Sequence, residues 1–147
     1  ANHPRPPGTP VGDGILTAYE VTGMNLDGTE LVNLTACETG VGAVTPDGVA
    51  GLRQAFLWAG ARSLTMSMWE VPVTEVTAQI ETFYSRWLAV PPGQSGPSRY
   101  AAFRASQVAA LAAAREKWSS AHPFFWASTV FVGDPGDLPG VNTTAGS

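Results

Sequence analysis

The chain carries one cysteine, Cys37, and two histidines, His3 and His122, and these three residues bound its nucleophilic and metal chemistry. Cys37 stands in "LVNLTACETGVG", residues 31–42, where an apolar run meets a polar, glycine-bearing turn. A thiolate there is a nucleophile if an imidazole is close enough to lower its pKa or take its proton. The alternative is a small, inert side chain buried at a strand end. One cysteine forms no internal disulfide, and His3 and His122 lie too far apart in sequence for a local zinc motif. No cofactor or metal is implied. The "ETGVG" turn lacks the spacing of a full glycine-rich nucleotide fingerprint and the lysine of a P-loop, so it reads as a tight turn.

The 147 residues, 44% hydrophobic and 14% charged, describe one globular domain large enough to bury a core. The net charge of -4 comes without any Lys/Arg cluster, which leaves nucleic acid no electrostatic footprint. No apolar run approaches the ~20 residues that span a bilayer, and "ANHPRPPGTP" lacks the layout of a secretory signal. The expectation is a soluble, cytoplasmic protein with no membrane partner.

Pro4, Pro6, Pro7 and Pro10 make residues 1–12 a loop entered from something upstream. "ILTAYEV" follows as a short helix, with Thr17 as N-cap and Glu20 completing a capping box. In the next run Leu31, Val32, Leu34 and Ala36 are apolar on both faces, as in a central strand covered by helices on both sides. Val49, Leu52, Phe56 and Ala59 recur at helical spacing up to Gly60. "RSLTMSMW" is the second strand. Val73, Val76, Ile80, Phe83, Trp87 and Leu88 share one helical face, and the Ala-rich "RYAAFRASQVAALAAAREKW" is a further helix after the "PPGQSGPS" break. "PFFWASTVFVGD" is the last strand. The order strand, helix, strand, helix, helix, strand is α/β on a mostly parallel sheet. In such a sheet ligands bind beyond the carboxyl ends of the strands, where Cys37 falls. Trp58, Trp87, Trp118 and Trp126 lie on apolar faces and are expected to be packing.

Three stretches, "DGILTAYEVTGMNLDGTELVNLTACETGVG", "GVAGLRQAFLWAGARSLTMSMWEVP" and "HPFFWASTVFVGDP", resemble the C-terminal two-thirds of a CHAT domain, the caspase-like module usually fused to tetratricopeptide repeats. The resemblance implies a caspase-like three-layer sandwich, helices on both faces of a mostly parallel sheet, here lacking its N-terminal strands. It divides the chain into the entering loop 1–12, a partial CHAT domain 13–134 and a loose tail 135–147. It also implies a His/Cys dyad of the cysteine-peptidase kind. The family's "SACETG" is matched by Thr35-Ala36-Cys37-Glu38-Thr39-Gly40, which makes Cys37 the nucleophile, its backbone N–H part of the oxyanion hole. The family's histidine belongs to an "ATHG"-type motif on a preceding strand, and that motif is not in this sequence.

His3, between Asn2 and Pro4, reads as a loop residue. His122 precedes the last strand and could share the Cys37 side of the sheet if that strand is antiparallel, although His-Pro has an ordinary role in ending a helix. "SMWEVP" is similar to the family's "SLWPVPD" beside the substrate cleft, which assigns Ser67, Trp69 and Glu70 to substrate binding. The acidic residue of that segment is replaced by Val73, with Glu70 and Glu75 nearby. The expected function is a cysteine endopeptidase module, a hydrolase of the CHAT type, truncated before its histidine and inactive alone. Its partners would be a peptide or protein substrate and tetratricopeptide repeats in the same or a partner chain. A non-catalytic interaction or scaffold module of the same fold is the alternative, and a nucleotide-binding α/β domain the weaker third.

Overall fold

The computed structural model describes residues 16–34, 46–70, 72–89 and 96–136. Its first element, α1 (Ala18–Thr22), is a single turn set by its cap. The Glu20 N–H donates to Thr17 Oγ1 at 3.2 Å, and the Thr17 N–H donates back to the Glu20 carboxylate at 2.8 Å. Two helix-end donors are thereby satisfied reciprocally, as the sequence pattern predicts. So short a helix has little else to hold it beyond the burial of Val21. Thr17→Ala is therefore expected to cost about 1 kcal/mol, read as a lower chemical-denaturation midpoint with an unchanged denaturant slope.

The chain then forms β1 (Val32–Leu34), α2 (Pro46–Trp58) and β2 (Ser63–Ser67), a βαβ unit in which β1 and β2 are parallel, with Val32 beside Leu64 and Leu34 beside Met66. Gly60 closes the α2 end at φ +107°, where a Cβ would stand 2.5 Å from the Asp27 carboxylate. Only glycine fits that approach without displacement. Next come α3 (Val73–Leu88), α4 (Arg99–Trp118), a 3₁₀ turn at Pro123–Phe125 and β3 (Thr129–Gly133). The last strand pairs antiparallel with β2, Ser63 opposite Gly133 and Ser67 opposite Thr129. The sheet order is β1-β2-β3, so the protein is α/β with one parallel and one antiparallel pairing, not the mostly parallel sheet expected. The central position belongs to β2, all five of whose residues are buried. Among the described residues β1 is paired on one side only.

Alternation along the strands divides the core in two. Leu64 and Met66, with Val32, Leu34, Val130 and Val132, pack against Val21, Ala55, Phe56 and Ala59 of the α1–α2 side. Phe131, from the other face, meets Phe83, Ala102 and Phe103 of α3 and α4. Phe103 stands tilted 5.6 Å from Phe131 and edge-on 6.0 Å from Phe83, the arrangements that aromatic quadrupoles favour. The second face is otherwise polar. Thr65 donates to Asn33 at 3.0 Å, Ser63 to the Glu30 carbonyl at 2.6 Å, and Gln107 to the Thr129 carbonyl at 3.2 Å. Arg99, buried at the start of α4, is paired with Glu30 and Asp134 and ties the entries and exits of the sheet together.

Four expected packing residues are exposed, among them Trp118 at the end of α4, 45% exposed. Val73, the first residue of α3, is 69% exposed and Leu88, in its last turn, 65%. Leu88 lies about 140° round the helix from Phe83 at 100° per residue, and the buried line of α3 instead runs through Val76, Gln79 and Phe83. Trp58 is 74% exposed, because two residues beyond Phe56 a helix has turned to its opposite side. Trp87 does join the Phe83 cluster.

Candidate functional site

The two parallel strands end together. β1 stops at Leu34, three residues before Cys37 in sequence, and β2 stops at Ser67. Cys37 itself lies outside the described residues, as do His3, the "TACETG" segment, residues 1–12 and residues 137–147 of the expected tail, whereas Pro135 of that tail is described and its carbonyl accepts the Tyr100 N–H at 3.0 Å. What the structure describes is the rim at the carboxyl ends of β1 and β2. Because β3 is antiparallel, its start reaches the same rim: the Met68 N–H donates to the Ser128 carbonyl at 2.8 Å. The 3₁₀ turn just ahead of β3 is brought in with it. The Trp69 indole N–H donates to the Phe124 carbonyl at 3.1 Å, across 55 residues of chain.

Ser67 and Trp69 therefore belong to one rim, with different freedoms. Ser67 is buried, and its Oγ has no hydrogen-bond partner among the described residues. Trp69 is half-buried and its indole is held by Phe124, which leaves its ring as an apolar wall. Glu70 is exposed and makes no ion pair among the described residues. Phe124 escaped sequence reasoning because it acts through its backbone carbonyl, which every residue type supplies.

His122 comes to this end of the sheet on the 3₁₀ turn. Its Nδ1 accepts the Phe124 N–H at 3.2 Å, capping that turn. That bond ties the imidazole to the backbone of its own turn. The α4 helix ends earlier, at Trp118, with Ser119 in the left-handed region, so His122 starts the turn rather than stopping the helix.

Glu75, the other carboxylate near "SMWEVP", is turned away to a structural duty. It accepts from Lys117 Nζ at 2.6 Å, joining the start of α3 to the end of α4. The Lys117 ammonium first, and the Thr74 hydroxyl second, hold its carboxyl below the ordinary carboxylate range. A lowered folded-state pKa stabilises the protein above the unfolded value and loses that stabilisation as pH falls through the folded one. Lys117→Met should accordingly cost about 0.5 kcal/mol at neutral pH. That difference should close on acidification below about pH 4, as followed by thermal unfolding at a series of pH values.

Among the described residues no cluster of three or more His, Cys, Asp or Glu side chains could hold a metal ion, and no helix is long and apolar enough to cross a membrane. A family model described as "CHAT domain" matches residues 2–134. This chain belongs to the CHAT-domain family. The CHAT domain here is 32% identical over 124 residues to human "Tetratricopeptide repeat protein 28", covering 84% of this chain and 5% of that protein. Against the mouse protein of the same name it is 35% identical over 79 residues, covering 54% of this chain and 3% of the relative. The chain thus spans about a twentieth of the human relative's length or less. No solved structure matches it.

Proposed function

We propose that this CHAT domain is the nucleophile-bearing part of a caspase-like cysteine endopeptidase, with Cys37 as nucleophile. The single observation that carries the reading is the "TACETG" segment following directly on β1, at the strand ends where open α/β sheets bind ligands. A histidine from an upstream strand takes the Cys37 thiol proton, and the thiolate adds to the scissile carbonyl. The Cys37 N–H and a glycine N–H of the histidine motif hold the oxyanion. Collapse expels the amine, protonated by the imidazolium, and leaves a thioester that water hydrolyses to the acid and free thiol. Ser67, Trp69 and Glu70 line the substrate cleft, Trp69 as the wall for the side chain before the cut. Upstream strands pair on the side of β1 that has no partner among the described residues and complete a three-layer sandwich. Alone, the chain is inactive. Tetratricopeptide repeats, present in the names of its relatives, are the natural regulatory partner, and the cytoplasm the natural compartment.

A scaffold reading is favoured by one observation: both histidines of this chain precede proline, not glycine, and the imidazole of His122 is already engaged. The test that separates them is to supply, by fusion or in trans, an upstream segment carrying a His-Gly motif and to assay peptide cleavage. Cleavage that needs Cys37 and tolerates His122→Ala supports the peptidase, and a folded, complexed domain without turnover supports the scaffold.

A further inference from the structure

Side chains alternate along β2, so Thr65 points away from Leu64 and Met66 and towards α3 and α4. Gln79 of α3 comes down on this polar face beside Thr129 of β3. Together with Thr65, Asn33 and Ser106 they bound a gap of about 10 Å³. Gln79 is 6% exposed and Thr129 4%. Gln79 Nε2 and Thr129 Oγ1 each have less than 1 Å² of accessible surface and no hydrogen-bond partner among the described residues, so they do not bond to each other. Bulk solvent reaches neither of them.

A buried amide or hydroxyl left unpaired keeps the whole of its desolvation penalty, whereas immobilising one water that serves both groups costs less than that penalty counted twice. The size of the gap selects the ligand. About 10 Å³ is the smallest space that takes a water, and it takes nothing larger. The lining then sets the direction of each bond. Gln79 Nε2 only donates. Thr65 gives its hydroxyl proton to Asn33 at 3.0 Å, and Ser106 gives its own to the Phe103 carbonyl at 2.7 Å, so Thr65 Oγ1 is left as an acceptor. A water that accepts from Gln79 Nε2, donates to Thr65 Oγ1 and bonds Thr129 Oγ1 has the set of partners usual for a buried water. A cation does not suit the gap, because no carboxylate lines it.

We propose that this gap is the site of a single buried water that joins Gln79 of α3 to Thr129 of β3 and Thr65 of β2. Thr129 stands opposite Ser67 in the sheet, so the water ties α3 to the strand ends that form the rim. The full chain is studied in solution, with water itself as the probe. Rotating-frame Overhauser contacts to a slowly exchanging water should appear at the Gln79 side-chain amide protons, separated by their sign from simple proton exchange. Water-oxygen relaxation dispersion should count a single long-lived water fewer in the Gln79→Met, Thr129→Val double variant, whose side chains are close in size and lack the polar atoms. Absence of the contact at the Gln79 amide, or an unchanged count of long-lived waters in a folded double variant, would overturn the proposal. A Thr129 hydroxyl slow to exchange, with no water contact at Gln79, would show a direct bond between the two and overturn it as well. The contacts of the unaltered chain decide the matter even if the double variant fails to fold.

Discussion

Cys37→Ala is expected to lower, by at least about a thousandfold, the peptide cleavage that appears when the chain is joined to an upstream segment carrying a His-Gly motif. Loss of a covalent nucleophile removes the reaction path itself rather than one stabilising contact, so the residual rate falls towards that of the oxyanion hole and binding alone. Before that segment is added, iodoacetamide should alkylate Cys37 at the rate of an ordinary cysteine, as expected of a thiol that waits for its activating imidazole. After it, alkylation near neutral pH should accelerate. His122→Ala should leave the cleavage rate within about twofold, since its Nδ1 serves the backbone of Phe124 and loss of that cap is a matter of local stability. An inert Cys37 in the reconstituted domain, or cleavage that persists in Cys37→Ala, would sink the peptidase reading and leave the scaffold.

Leu64→Ala is expected to destabilise the domain by about 3 kcal/mol, a large share of the 5–15 kcal/mol that usually holds a domain together. Leu64 is wholly buried in the middle strand, between Val32 and Val132. Its removal leaves a cavity that three strands and α2 cannot close together. The thermal midpoint should fall by about 10 °C. Val73→Ala is the paired control: with that side chain 69% exposed, it should shift the midpoint by no more than about 1–2 °C. Equal effects of the two substitutions would mean that the apolar face of α3 extends to its first turn, contrary to the burial described.

Sequence periodicity reads α3 well in its middle and poorly at its ends, for a physical reason. Val76, Ile80 and Phe83 face neighbours along the contact, whereas Val73 and Leu88 carry the same apolar signal where none of the described residues covers them. The polar gap at Asn33, Thr65 and Thr129 was likewise hidden. Hydroxyl residues alternating with Leu64 and Met66 look like a solvated strand face until α3 and α4 are laid over them. Of the candidate site, Ser67 and Trp69 were legible as a strand end, but their common rim with the 3₁₀ turn was not.

By itself the sequence determined what short-range chemistry decides. The Thr17–Glu20 capping box, the limits of the Ala-rich helix at Arg99 and Trp118, and the order of strands and helices all follow from propensities and periods spanning a few residues. Tertiary structure decided the rest. The antiparallel return of β3 carried His122 and Phe124 to the end of the sheet nearest Cys37 in sequence, and it gave Trp69 an acceptor 55 residues away. The antiparallel pairing of α3 with α4 bound Glu75 to Lys117 and buried the Gln79 amide, whose Nε2 has no acceptor among the described residues. Contacts of this kind join distant residues through backbone carbonyls and flat alanine surfaces. No residue type or spacing marks these in advance, so only the folded chain shows them.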